Sequence, residues 1–567
     1  MLKQAHRLDH LKPWFFGFTG LIVGLAIIGA FRAYSPIPMG DSWDGNIAFY
    51  LNTLDGNWIH WWTQHNEHRI VLSKIFFWLN NQYFGGSNAF LVAVNFACIT
   101  ASAFLFWRIL RNITETKKPF NDEICCGLFL TSWLFLWCQQ ENLLWEFQNQ
   151  FILAQLLPLT ALFWLYKSKN SNRHFFIACF FGIASAVSMA NGILALPLLA
   201  VYSALMNQPV KRTIFLALLA VITITLYLFN YQSPPQHSSL LQALQQQPLE
   251  LLQYFLNYLG SPFRYLFHIK FIALIAGIFM VGASIFIGIR ALIQKNNLLL
   301  FLALFNAYII ATALGTAGGR VIFGVNQAFA SRYTTPALMA WAALFLAFLP
   351  SILKLLRHTS FDRSHKKNIA LLLIAALLML GVQLKTLGSH TQSHWMRKVG
   401  ALALSMQVND ERQIQEIAGP SKSILAIAKP AADLHVGFFG NDPFKGLRSE
   451  LNTRTPLIRA TNCVGKITTI RVLPSDPQFL RIEGEISNPS SQAMSEILKI
   501  VDSNHEVIGF ALTANLTSSI LPLKKSLGAN YQFIGYFLNR RDNQAIEIQP
   551  NNGLCQLILQ SSAIITR

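Results

Sequence analysis

The sequence predicts a polytopic α-helical membrane protein that ends in a smaller, mainly-β domain. Three observations carry this. Of 567 residues, 53% are hydrophobic and only 13% charged, with a mean hydropathy of +0.38; average soluble domains hold about 25% charged residues. Apolar stretches of spanning or near-spanning length recur from residue 14 to residue 386. From Thr461 the pattern changes to period-two alternation, as in Leu480-Arg481-Ile482-Glu483-Gly484-Glu485-Ile486.

The apolar stretches lie near 14–33, 88–110, 124–139, 150–167, 174–190, 192–206, 213–230, 264–290, 298–315, 335–353 and 369–386, which predicts about eleven spans. The first follows a basic head (Lys3, Arg7, Lys12) without a clear small-residue cleavage site, so it reads as an uncleaved span. With the N-terminus inside, the inner loops hold most of the cations, including Arg111, Lys117, Lys118, Lys169, Arg173, Lys211, Arg212, Lys295, Lys366 and Lys367. The outer loops hold few, mainly Arg69, Lys74, Arg320 and Arg332. The positive-inside rule then favours a cytoplasmic N-terminus, and an odd number of spans puts the C-terminal tail outside. Lys270 falls inside the eighth stretch, where its long stem can snorkel.

This organisation gives three expected parts. Residues 1–386 form the membrane domain, 387–454 a mixed helical connector, and 455–567 a periplasmic β-sandwich. His394 to Ile417 reads as an interrupted amphipathic helix. Five of the seven cysteines sit in apolar stretches and read as packing residues; Cys463 and Cys555 lie near the two ends of the β region, where an oxidising compartment would let them pair.

The net charge of +19 does not imply nucleic acid, because the basic residues punctuate hydrophobic segments rather than form one patch. The inner loops are too short for a nucleotide-binding domain, and no phosphate-loop or dinucleotide fingerprint is present.

Four polar groups stand out, all on the expected outer side. Gly40-Asp41-Ser42-Trp43-Asp44 follows the first span; interfacial solvation or helix capping is its structural alternative. Residues 46–62 can form an amphipathic helix with Trp58, Trp61 and Trp62 in the interface, and lead into His65-Asn66-Glu67-His68-Arg69. A divalent metal on His65, Glu67 and His68 is not favoured, since the spacing is not H-E-x-x-H. Between the third and fourth stretches, Glu141 and Glu146 stand with Asn142, Gln148, Asn149 and Gln150; a solvated hairpin tip is the plain alternative. Arg320, Arg332 and Tyr333 lie between the ninth and tenth stretches, where arginine suits either a phosphate or a lipid headgroup.

An Asp-rich first outer loop, an amphipathic segment, short paired spans around Ala190-Asn191-Gly192 with Pro197, and a late outer arginine resemble the GT-C superfamily of polyprenyl-phosphate-sugar glycosyltransferases. His65-Asn66-Glu67-His68-Arg69, Glu141-Asn142 with Phe147-Gln148-Asn149-Gln150-Phe151, and Ser331-Arg332-Tyr333 look like a group of bacterial membrane proteins of that kind. The resemblance covers about residues 10–390. It implies an inner-membrane enzyme, a polyprenyl-phosphate-linked sugar as donor, and a glycan or other periplasmic acceptor. It further implies an acidic general base in the first outer loop, Asp41 or Asp44, here spaced Asp-x-x-Asp where the family often shows Asp-Glu or Asp-x-Asp. The phosphate-binding arginine maps best to Arg332, with Arg320 second.

The expected catalytic residues are therefore Asp41, Asp44 and Glu67. The expected substrate-binding residues are His65, Asn66, His68, Arg69, Glu141, Gln148, Arg320, Arg332 and Tyr333, with no metal or cofactor assigned. A transporter or flippase for a lipid-linked glycan is the alternative; the absence of an internal repeat and the scarcity of intramembrane acids weigh against it.

Overall fold

The computed structural model describes residues 12–114, 121–233, 238–358, 363–455, 461–487, 494–514, 531–540, 545–550 and 555–560. Lys3, Arg7, Lys117 and Lys118 lie outside the described residues. The chain divides into two compact units. The first comprises Met1–Phe31, Trp61–Ile75 and Leu91–Leu387; the second comprises Arg32–His60, Phe76–Phe90 and Gly388–Arg567.

The first unit is helical. Helices occur at all eleven apolar stretches, but by length and composition six are fit to cross a membrane, or seven if the broken run of Leu371–Leu387 and Thr391–Met406 counts as one. Among the described residues, six or seven of the eleven expected spans meet that measure. The reason is length: Asn121–Leu134 has 14 residues and Asn172–Ala186 has 15, whereas roughly 20 are needed at 1.5 Å rise per residue. Ala195–Leu205 has only 11. Asn149–Lys167 is longer, yet it buries Asn149, Gln150 and Gln155.

A twenty-residue helix that hydropathy did not single out, Pro248–Phe267, packs against Lys270–Ile293. Small residues allow the close approach: a Cβ on Gly260 would lie 1.8 Å from the Ala273 carbonyl, and one on Gly277 would lie 2.1 Å from that of Leu256. Lys270 is the first residue of the candidate span Lys270–Ile293 and donates to Asn326 Oδ1 at 2.8 Å. Buried Gln383 repairs a helix break: its Nε2 donates to the Ile22 carbonyl at 2.9 Å, and its Oε1 accepts from the Trp137 N–H at 3.0 Å.

The second unit contains one sheet. Its strands are β1 (Thr461–Asn462), β2 (Val464–Leu473), β3 (Asp476–Ser487), β4 (Ile497–Asp502), β5 (Val507–Ala514), β6 (Tyr531–Leu538), β7 (Ala545–Pro550) and β8 (Cys555–Gln560). The order is β1-β8-β7-β4-β5-β6-β3-β2, antiparallel except for β1 with β8. The expected two-sheet sandwich is corrected to an eight-stranded half-barrel. β1 and β2 are consecutive, so a single run of chain starts one margin of the sheet and forms the other. Cys463, at their junction, is disulfide-bonded to Cys555 of β8.

Period-two alternation gives the sheet two buried faces rather than one. Ile482, Leu498, Ile508 and Phe537 fill the concave core. Phe479, Ile497, Phe510 and Tyr536 face a second core built from the helices of the connector and from Trp43 and Ile47. Connector and sheet therefore share one interior. The interrupted helix forms as Thr391–Met406 and Glu411–Ile414, parted at Gln407, whose φ is +58°. Asp410 caps the second piece and takes Arg481 Nη1 at 2.6 Å and the Tyr536 hydroxyl at 2.9 Å.

The expected continuous helix over 46–62 is broken. A wide π turn, Trp43–Ala48, leads into Phe49–Leu54, and Gly56 at φ +74° stops it before Ile59–Trp62. Trp58 is 79% exposed, as an interface residue would be.

Candidate active site

The site in the first unit is built on a tight turn. The His65 N–H donates to the His68 carbonyl at 2.8 Å, and the His68 N–H returns to the His65 carbonyl at 2.9 Å. Asn66 takes the left-handed conformation (φ +49°) that asparagine tolerates, so Glu67 stands at the tip. His65 sets its ring edge-on to Phe147 at 5.0 Å, with Nε2 3.3 Å from Asn66 Nδ2.

The turn is anchored by Arg69. This 3%-exposed guanidinium donates to three backbone carbonyls: Trp62 at 2.6 Å, Phe229 at 2.6 Å and Tyr227 at 2.8 Å. The Tyr227 hydroxyl donates back to the Glu67 carbonyl at 3.0 Å. Arg69, expected to bind substrate, commits three of its five N–H donors to backbone carbonyls of the fold. Behind it, buried Lys74 donates to the Thr63 carbonyl at 2.7 Å and Oγ1 at 3.2 Å. Burial, with Arg69 nearby, pushes its ammonium down to about 8.

At the tip, Arg320 Nη2 donates to Glu67 Oε1 at 3.0 Å. His68 Nδ1 accepts the Ala190 N–H at 3.3 Å, which leaves Nε2 to carry the proton toward Glu67 Oε1, 3.6 Å away. Burial pushes the Glu67 carboxyl up, but the His68 and Arg320 charges outweigh it and hold the group at about 2. A carboxylate this acidic is a weak proton acceptor at neutral pH. Glu67, expected among the catalytic residues, stands here as the partner of Arg320.

A second pair stands on adjoining segments. Arg332 Nη1 lies 3.4 Å from Glu141 Oε2. Asn142 Nδ2 donates to the Arg332 carbonyl at 2.8 Å and to Thr335 Oγ1 at 2.6 Å, and Ser331 Oγ donates to the Cys138 carbonyl at 2.9 Å. These bonds join the 134–149 segment to the 321–333 segment. Tyr333 is buried beside Tyr258, with ring centroids 5.2 Å apart. Gln148 is 2% exposed and its Oε1 has no hydrogen-bond partner among the described residues.

Three of the four polar segments picked from the sequence, 61–70, 141–151 and 318–334, thus come together in the first unit. The fourth lies in the second unit. There Trp43 is fully buried, with Nε1 donating to the Pro38 carbonyl at 3.0 Å, and Asp41 and Asp44 on either side of it are exposed.

Sequence reasoning missed Tyr254, Asn257, Tyr258 and Ser261. All four are buried on the Pro248–Phe267 helix. Their spacing of i, i+3, i+4, i+7 is one helical face and would have identified them. Among the described residues, no cluster of three or more His, Cys, Asp and Glu side chains has metal-binding geometry.

The chain matches no family model, no curated protein and no solved structure. The chemistry of the site therefore rests on its own geometry: two part-exposed arginines, each beside a carboxylate, and buried tyrosine hydroxyls, at one end of a set of apolar helices.

Proposed function

We propose that this chain is a membrane glycosyltransferase that moves a sugar from a polyprenyl-phosphate donor to a hydroxyl of a surface glycan or another acceptor. The observation that carries the reading is the placement of Arg320 and Arg332. One ends the apolar helix Asn297–Arg320 and the other precedes Thr334–His358, so both stand at the same end of a pair of apolar helices. A donor with its tail in lipid and its phosphate at headgroup level presents its charge at that depth. Arginine forks match phosphate, and their donors stabilise the charge that grows on the leaving phosphate as the sugar departs. The two carboxylates keep the arginines aimed until a phosphate competes for them.

Of the first-loop acids, Asp41 is favoured as the base that takes the proton of the attacking hydroxyl, with Asp44 second. In-line attack in a single displacement inverts the anomeric centre. The reading places the protein in a bacterial inner membrane with the arginine end and the half-barrel on the periplasmic side. The Cys463–Cys555 disulfide supports an oxidising compartment for the second unit. The opposite ends of the helices support the orientation: Arg212 joins Ser168 and Asn172 there, and Lys295 lies in the turn between Lys270–Ile293 and Asn297–Arg320.

The test is transfer by the purified chain in liposomes, supplied with undecaprenyl-phosphate-linked sugars and an envelope glycan extract. The expected result is release of undecaprenyl phosphate with labelling of the glycan, lost in Arg320→Ala and Arg332→Ala. Equal activity in both variants would sink the phosphate assignment, and no release from any donor would sink the reaction.

A further inference from the structure

The second unit contains a cavity of about 350 Å³ that the proposed reaction does not use. It is at the small end of ligand pockets, which run roughly 300–1,000 Å³. Its apolar wall is Phe439, Phe444 and Leu447, all buried. Its polar rim is Asp433, His435 and Arg448, all exposed.

Local structure fixes that rim. Asp433 is the last residue of the Ser421–Asp433 helix. His435 follows in the left-handed conformation (φ +54°), and its carbonyl approaches Gly440 so closely that a Cβ there would lie 2.4 Å away. Gly446, at φ +73°, starts the Leu447–Glu450 turn that carries Arg448. None of the Asp433, His435 and Arg448 side chains forms an ion pair or hydrogen bond among the described residues. Their polar ends are uncommitted around a preformed space, whereas Asp410 and Arg481 in the same unit are tied to each other.

We propose that this cavity binds a neutral, hydroxyl-rich ligand of monosaccharide size. The charges decide the class. A carboxylate and a guanidinium on one rim disfavour an anion and a cation alike. Together with an imidazole, they offer acceptors and donors to adjacent hydroxyls, and the phenylalanines offer apolar contact to the C–H face of a sugar ring. The site does not depend on the transfer reaction and would stand without it.

The experiment is saturation-transfer NMR on the full chain in detergent, with glucose, galactose, mannose and N-acetylglucosamine at millimolar concentration and inorganic phosphate as competitor. The expected result is saturation of at least one sugar, weakened about tenfold in Asp433→Asn and in Arg448→Gln, the size expected when one charged hydrogen-bond partner is lost. Phosphate should leave the signal unchanged, and both variants should melt like the parent. The proposal is overturned if no sugar is saturated, if both variants bind as the parent does, or if phosphate displaces the sugar.

Discussion

Arg320 Nη2 meets Glu67 Oε1 at 3.0 Å, and the same oxygen lies 3.6 Å from His68 Nε2. Glu67 thus faces the Arg320 guanidinium and the His68 imidazole, and its carboxyl is held at about 2. A depressed carboxyl contributes stability that is present above its ordinary value near 4.5 and lost as pH falls toward 2. The side chains are each 23% exposed, so solvent screens the contribution to about 1 kcal/mol or less. Carboxyl NMR of the labelled chain should show Glu67 ionised down to about pH 2 and titrating higher in Arg320→Ala; an unchanged midpoint would refute the pairing.

Lys74 gives a slope of the same sign in a higher pH window. Its ammonium is depressed to about 8 in the fold against 10.5 ordinarily. Between those values the unfolded chain binds more protons, so stability should rise with pH from about 8 to 10.5. Lys74→Met should flatten that rise, read by thermal unfolding in detergent across the window.

Arg69→Lys should destabilise the first unit by about 2–3 kcal/mol, because an ammonium cannot reach three carbonyls and leaves buried acceptors unmet. Proteolysis after residue 62 should quicken in parallel. A variant with the parent's melting temperature would contradict the anchoring role.

Cys463→Ser should cost the second unit about 2–4 kcal/mol, since the bond closes a loop with a sequence separation of 92. Reductant should reproduce the loss in the parent and leave the variant unaffected.

Asp41→Asn and Asp44→Asn divide the base assignment. Loss of a general base lowers kcat by roughly 10²–10⁴. One variant should show that loss in the liposome assay with unchanged melting. Full activity in both removes the base from this loop.

The period-two pattern around Leu480–Ile486 announced a strand, but not that Arg481 faces a second core. Its burial depends on Asp410 and Tyr536, which lie far away in sequence. Likewise Glu67, Glu141, Arg320 and Arg332 were legible as polar residues at the ends of apolar runs. Their pairing was not, because it depends on how the segments meet. Hydropathy marks apolar runs without fixing helix length, so helices such as Asn172–Ala186 fall short of the roughly 20 residues a span needs, and it overlooked Pro248–Phe267 because that helix has a polar face.

The second unit also sets an order of events during synthesis. Trp43 packs edge-on against Phe438 at 6.3 Å, yet all of the helical unit except its first segment, Met1–Phe31, is translated between them. The early piece leaves the ribosome with its apolar ring uncovered and must wait for the last third of the chain before its core can close. Such late, long-range closure is slow and exposes sticky surface meanwhile. A nonsense mutation anywhere before Phe438 would therefore leave the Trp43 segment unsheltered, and quality-control proteases would meet it first.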